Sequence, residues 1–221
     1  MIPLKSDMPV RGTSYLTLGL IALNLAVFLY QITLSPPAET LFLYDYGLVP
    51  GWLTGLGQPS PPPGLLPRPL TLLSAMFLHG GLLHLAGNML YLWIFGRNLE
   101  DALGGGRYLI FYLLGGLAAS LAFVASAPQD MLPMIGASGA VAAVLGAYLV
   151  LFPRAKVLVL FWFIFWVQPV RVPAVLLLAI WFLWQVLGLG GEGVAWMAHI
   201  GGFVAGMVMV RLFPARSPAG H

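Results

Sequence analysis

The sequence predicts an all-α membrane protein in which six helices cross the bilayer as a single domain, residues 1–221. Of its 221 residues, 60% are hydrophobic and only 8% are charged, and the mean hydropathy is +0.92. Soluble domains carry about 25% charged residues, so the soluble class is excluded. Cysteine is absent, which excludes disulfides, thiol catalysis and thiolate metal ligands.

The basic residues indicate a membrane orientation rather than a nucleic-acid partner. The formal net charge is +3, but the Lys and Arg residues are scattered singly and form no stripe. Basic residues in short loops set the orientation of membrane helices. The sequence therefore predicts no nucleic-acid binding.

The first span and the loop after it have contrasting compositions. Residues 15–34 form an apolar stretch of about 20 residues, long enough to cross the hydrocarbon core. Pro36 and Pro37 follow it instead of a small-residue cleavage site, which favours a retained signal anchor. Residues 35–70, rich in Pro and Gly, predict a long irregular loop between helices 1 and 2. Its aromatic segments place this loop at the membrane interface.

Five further spans are predicted along the chain. Residues 157–167 are apolar but number only about 11, too few to cross the bilayer, and predict an interfacial or re-entrant segment. The fifth span is expected to start a few residues before Pro173. The further spans lie within residues 72–99, 108–125, 136–152, 173–187 and 194–213.

With a cytoplasmic N-terminus, every basic residue except Arg68 falls on the cytoplasmic side. The sequence therefore predicts an integral multi-pass protein of the cell (inner) membrane with both termini cytoplasmic. The basic residues on that side are Lys5, Arg11, Arg97, Arg107, Arg154, Lys156, Arg171, Arg211 and Arg216.

Uncharged polar residues remain inside the predicted spans, while interior Asp, Glu, Lys and Arg are absent. That absence disfavours a proton relay, a carboxylate ion path or a voltage sensor. His84 and Asn88 lie four residues apart on one helix face, which alone indicates helix packing as readily as chemistry. The topology puts Ser138, His84 and His199 at a similar depth near the outer side, with Asn88 one turn deeper.

Small residues predict close approach of the fourth and sixth helices. Such faces allow two backbones to come together and bring neighbouring side chains into contact. Ser138 and His199 are therefore expected within reach of each other. The small residues are Gly139, Ala142, Ala143 and Gly146 on one helix, and Gly202 and Gly206 on the other.

The chemistry that this arrangement permits is nucleophilic acyl transfer. A Ser hydroxyl becomes a nucleophile when an imidazole accepts its proton. Without a nearby carboxylate, Ser138 and His199 would form a dyad rather than a triad. The Asn88 amide, His84 and the Ser138 backbone N–H are candidate donors to the oxyanion. Gly136 and Gly139 would let a substrate chain approach closely.

Three segments resemble the rhomboid intramembrane serine proteases. They are HGGLLHLAGNMLYLWIFGRNLED at 79–101, GASGAVAAVLGAY at 136–148 and AHIGGFVAG at 198–206. The resemblance implies a rhomboid-like six-helix bundle with Ser138 as nucleophile, His199 as base, and His84 and Asn88 as oxyanion-side donors. Gly136 stands at the first glycine of the GxSG element.

The resemblance also implies a function. Rhomboid proteases cleave other membrane proteins within or beside their transmembrane segments, without a metal or organic cofactor. The implied partners are transmembrane protein substrates and membrane lipids, and the sequence predicts no particular oligomeric state.

Two positions depart from the family pattern. Ala142 stands where many rhomboids carry an aromatic residue that packs on the catalytic imidazole, so Trp196 or Phe203 is expected to position His199. Leu70-Thr71 stands where many carry a Trp-Arg pair, so the loop is expected to be held differently. His79 is interpreted as a support for the loop.

Two alternatives stay open. A rhomboid-like, non-proteolytic protein that binds membrane clients typically lacks the nucleophile or the base, and this chain has both. A transporter or channel predicts charged or repeated half-helix elements, which the spans do not show.

Overall fold

The computed structural model describes residues 2–58, 64–163, 166–189 and 194–214. Arg216, the tail from residue 215 and part of the predicted loop before the sixth span lie outside these ranges. A π-helical turn, Leu92–Gly96, joins the helix that ends at Tyr91 to the helix that begins at Arg97. The α-helices are α1 (Tyr15–Gln31), α2 (Pro36–Tyr46), α3 (Pro50–Thr54), α4 (Thr71–Ser74), α5 (Leu82–Tyr91), α6 (Arg97–Leu103), α7 (Gly105–Ser126), α8 (Ser138–Leu151), α9 (Ala174–Val186) and α10 (Trp196–Met209).

Helix length decides how far the predicted six spans are supported. Within the described ranges, α7, with 22 residues, is the one straight helix long and apolar enough to cross a membrane. Arg68–Phe77 and Leu82–Leu103 pass the same test as a pair but are bent by 83°. The helices α1, α8, α9 and α10 are apolar but shorter. The mostly helical class is therefore seen, whereas the count of six spans stays a prediction.

The predicted irregular loop at 35–70 contains two helices, α2 and α3, and this part of the prediction is wrong. Pro36 and Pro37 open α2 and Pro50 opens α3. Proline is well accommodated in the first helical turn, where its missing N–H would have had no partner. The Arg68 guanidinium lies 4.7 Å from the centre of the Trp52 ring, which joins α3 to the last residues of this segment.

A three-stranded antiparallel sheet corrects the all-α class. Its strands β1 (Ile2–Ser6), β2 (Lys156–Phe163) and β3 (Trp166–Pro173) lie in the order β1-β2-β3. The segment predicted as interfacial or re-entrant, 157–167, therefore contains most of strand β2 and the first two residues of β3, while residues 164 and 165 lie outside the described ranges. The expected early start of the fifth span is also wrong, because β3 ends at Pro173 and α9 begins at Ala174. Prolines at 169 and 173 oppose a helix there, whereas an edge strand tolerates them.

Segments that were predicted to lie on the same side of the membrane contact one another at two places. At the first, β1 pairs with β2, and the backbone N–H of Arg11 donates to Asp101 Oδ1 at 3.3 Å. Residues 2–6, Arg11 and Asp101 were predicted to be cytoplasmic, and the segment of β2 was predicted to lie between cytoplasmic basic residues. At the second, Leu48 pairs with Met134 across an isolated bridge, which joins two segments predicted to lie outside.

Helix α10 packs against α7 and α8, and glycines make the contact with α8 very close. A Cβ atom on Gly202 would strike the carbonyl oxygen of Gly139, and one on Gly206 would strike that of Ala143. The atoms struck belong to backbone, which cannot move aside as a flexible side chain can. The predicted close approach of these two helices is confirmed.

Gly206→Ala is expected to lower the free energy of unfolding by about 1–3 kcal/mol, because an extra methyl group would force α10 away from α8. The measurement is the thermal unfolding midpoint of the purified protein in detergent. Gly19→Ala is the matched control, since a Cβ atom there meets nothing within 4 Å. Equal midpoints for the two variants would contradict the close packing.

Candidate active site

Ser138 is the first residue of α8, and a glycine with a positive φ angle stands two residues before it. Gly136 adopts φ +121°, a conformation that residues with a Cβ rarely adopt. Its backbone N–H donates to the carbonyl oxygen of Ala75 at 2.8 Å, which fixes the turn against the segment before α5. The backbone N–H of Ser138 belongs to the first helical turn, where it has no partner inside the helix.

His199, in the first turns of α10, faces Ser138. Its Nε2 atom lies 2.7 Å from Ser138 Oγ. Its Nδ1 atom lies 2.7 Å from Oε1 of Gln185 on α9. The imidazole therefore bridges a hydroxyl on α8 and an amide on α9. An imidazole in this position can accept the proton of the hydroxyl.

Two tryptophans surround the ring of His199. Trp181 lies beside it with ring centres 6.2 Å apart and planes at 33°. Trp196 approaches edge-on with ring centres 6.3 Å apart. Trp196 was one of the two expected neighbours. Phe203, the other, packs on Trp181 with ring centres 5.9 Å apart.

His84 lies beside the turn that precedes Ser138. Its Nδ1 atom accepts a long hydrogen bond of 3.4 Å from the backbone N–H of Gly80, so a neutral ring carries its proton on Nε2. A Cβ atom on Gly136 would come within 2.8 Å of that Nε2 atom and 3.6 Å of Ser138 Oγ. Glycine at 136 thus makes room for the His84 ring beside the hydroxyl.

Asn88 lies one turn further along α5. Its side chain is 7% exposed, and its Nδ2 atom has no hydrogen-bond partner within the described part of the chain. A buried amide donor without a partner is costly, so such groups often indicate a functional site. Asn88 and the three residues Ser138, His199 and His84 line one cavity of about 750 Å³.

Gly139 and His79 have packing contacts next to this cavity. Gly139 lines the cavity, and a Cβ atom there would lie 2.6 Å from Cβ of Ala119. The His79 side chain is 1% exposed. Its backbone N–H and carbonyl both bond to the Gln31 amide at 3.1 Å. These bonds hold the backbone of residue 79 against α1 and do not involve its imidazole, so the supporting role of the His79 side chain stays a prediction.

Gln185 and Trp181 are site residues that were not predicted from the sequence. Both lie on α9, four residues apart and therefore on one face. The depth argument used for Ser138 would have found Gln185, because it stands two residues before the predicted outer end of the fifth span.

Comparison with known proteins gives one consistent result. Residues 67–216 match the family model described as Rhomboid domain. The chain is 44% identical to the Rhomboid protease GluP of Bacillus subtilis over 78 residues, which is 35% of this chain and 15% of that protein. It is 32% identical to Rhomboid protein 1, mitochondrial, of Saccharomyces cerevisiae over 63% of this chain and 40% of that protein.

A third relative is the Rhomboid protease AarA of Providencia stuartii. It is 32% identical over 50% of this chain and 36% of the relative's own length. The matches therefore span less than half of each of these three relatives.

Proposed function

Because the chain belongs to the rhomboid family, we propose that it is an intramembrane serine endopeptidase. Its substrates are transmembrane proteins, cleaved within or near their membrane-spanning segments. Rhomboid family members are integral membrane proteins, and two of the relatives above are named proteases. The observation that carries the proposal is the 2.7 Å contact between Ser138 Oγ and His199 Nε2 on the wall of a cavity.

Acylation begins with Ser138. Its Oγ attacks the carbonyl carbon of the scissile peptide bond while His199 Nε2 takes the hydroxyl proton. The resulting tetrahedral intermediate carries a negative oxygen. The C–N bond then breaks, the leaving amine takes the proton from His199, and an ester to Ser138 remains.

Deacylation reverses these roles with water. A water molecule attacks the ester carbonyl carbon and gives one proton to His199 Nε2. The Ser138 oxygen leaves, recovers that proton, and the carboxylic acid product is released. No metal or organic cofactor is needed for these steps, and the cavity offers water a place beside the ester.

The oxyanion needs donors that are in place before it forms. The backbone N–H of Ser138, the Nε2–H of His84 and the Nδ2 atom of Asn88 border the same cavity. The Asn88 amide donates to no protein group in the described ranges, so it can turn towards the new charge without breaking a bond. Gly136, at the cavity wall beside the His84 ring and the hydroxyl, is the glycine that lets a substrate backbone come close, whereas the missing side chain of Gly139 makes room for Ala119.

The length of α8 supports cleavage below the membrane surface. With 14 residues, α8 spans about 21 Å. The hydrocarbon core is about 30 Å thick. If α8 reaches the cytoplasmic side, Ser138 lies below the outer surface, where transmembrane substrates and lipids are its neighbours.

The proposed location is the cell (inner) membrane, with both termini cytoplasmic. The excess of basic residues on one side supports this orientation. The pairing of β1 with β2 and the bridge from Leu48 to Met134 also support it, because each joins segments predicted to share a side.

A panel of single-span reporter proteins tests the proposal. The purified chain and each reporter are reconstituted in lipid vesicles containing a chelator, and the products are mapped by mass spectrometry. Cleavage within or beside the reporter's span, absent with Ser138→Ala, is the expected result. A folded wild-type protein that binds reporters and cleaves none would favour the client-binding alternative.

Asn88→Ala is expected to weaken cleavage rather than abolish it. One oxyanion donor contributes at most about 2.7–4 kcal/mol to transition-state stabilisation, because the other donors remain. The measurement is kcat/KM on a cleaved reporter, with the thermal midpoint showing that the variant is folded. An unchanged kcat/KM would mean that Asn88 only packs.

A further inference from the structure

Gln185 is a buried amide in contact with the imidazole of His199. It lies near the end of α9, and its side chain is 7% exposed. Its Oε1 atom lies 2.7 Å from Nδ1 of His199, on the opposite side of the ring from Ser138. The three side chains therefore form a continuous chain of hydrogen bonds from α8 through α10 to α9.

A second hydrogen bond fixes which end of the amide faces the ring. The Nε2 atom of Gln185 donates to the carbonyl oxygen of Trp181 at 3.3 Å. If the amide were rotated by half a turn, its oxygen would face the carbonyl oxygen of Trp181, and the two acceptors would repel each other. The Gln185 oxygen therefore faces His199 as an acceptor, and an acceptor there requires the proton of a neutral imidazole to be on Nδ1.

This tautomer is the one that catalysis needs. With the proton on Nδ1, the lone pair of Nε2 points at Ser138 and can take the hydroxyl proton. We propose that Gln185 is a positioning residue for His199, which holds the imidazole in this tautomer and aims Nε2 at Ser138. The inference rests on the proposed protease function and adds an amide to the predicted dyad.

Because Ala142 stands where many rhomboids carry an aromatic residue, another residue has to hold the imidazole of His199. Ala142 provides no ring to hold the imidazole, and α9 provides both the Trp181 ring and the Gln185 amide from one face. A neutral amide suits this place better than a carboxylate, because an ionised group in the apolar bundle would carry a large desolvation cost.

The test compares three single variants on a cleaved reporter. Gln185→Leu removes the acceptor at similar size, and Gln185→Glu retains an acceptor oxygen at the same distance along the side chain. Asn24→Leu is the matched control, because Asn24 is also buried and donates to a carbonyl oxygen four residues earlier, Leu20. All three are measured for kcat, KM and thermal midpoint.

Gln185→Leu is expected to lower kcat by roughly 10- to 100-fold with little change in KM, because the base loses its orientation. Gln185→Glu keeps an acceptor oxygen and is expected to retain more turnover than Gln185→Leu, with a lower thermal midpoint from the desolvation cost of the carboxylate. Asn24→Leu is expected to keep wild-type kcat even where its midpoint falls. Equal kcat for wild type and Gln185→Leu would overturn the assignment.

A spectroscopic measurement separates this inference from the protease proposal. The measurement is NMR of protein labelled with ¹⁵N-histidine, in which the His199→Ala variant assigns the signals of the His199 ring. In wild type this ring is expected to carry its proton on Nδ1. In Gln185→Leu the proton is expected to move towards Nε2. An Nε2–H ring in wild type would overturn the role of Gln185. Lack of reporter cleavage by wild type would overturn the protease function, and the NMR result would still decide the role of Gln185.

Discussion

Ser138→Ala is expected to lower reporter cleavage by about 10⁵- to 10⁶-fold, to below detection in most assays. Among the described residues that line the cavity, no other hydroxyl is hydrogen-bonded to an imidazole. Ser120, the other serine on the cavity wall, donates to the carbonyl oxygen of Leu72 at 2.9 Å. The measurement is single-turnover cleavage of a reporter in vesicles.

Ser120→Ala is the matched control for this prediction. It removes a hydroxyl from the same cavity without touching His199, so its turnover should stay near that of wild type. If Ser138→Ala kept more than a small fraction of wild-type cleavage, the nucleophile would be another group or a bound water.

His199→Ala is expected to cause a loss of similar size. Without the imidazole, no described side chain within hydrogen-bond reach of Ser138 Oγ can accept its proton. Because the two residues act in one step, the double variant Ser138→Ala with His199→Ala should be no slower than either single variant. The rates are compared at the same protein concentration and with matching thermal midpoints.

Substantial turnover by His199→Ala would mean that the base is misassigned. His84 is then the next group to test, since its ring lies next to Gly136, which borders the hydroxyl.

The contact between Ser138 and His199 could be predicted from the sequence, because polar groups inside apolar spans can meet only where they lie at the same depth. The roles of the site residues stay predictions. Depth along each span and the small faces of α8 and α10 were enough to bring Ser138 and His199 together. Gln185 was overlooked because a single amide in an apolar helix is most often a packing residue. Its partner is set by the rotation of α9, which periodicity in a uniformly apolar segment does not reveal.

The sheet was harder to predict for a different reason. Strand β2 is a short apolar run, and periodicity does not distinguish such a strand from a buried helical segment. Its partners β1 and β3 come from opposite directions along the chain, one of them about 150 residues away. The helices α2 and α3 were missed because prolines were interpreted as breakers, whereas here they start helices.

The most direct test of the activated serine is labelling with a fluorophosphonate probe, followed by mass spectrometry of the labelled peptide. This test requires no knowledge of the substrate. The structure predicts label on Ser138 in wild type, and none on Ser138→Ala or His199→Ala. Absence of label on folded wild type, or equal labelling of His199→Ala, would contradict the Ser138–His199 pair as the reacting groups.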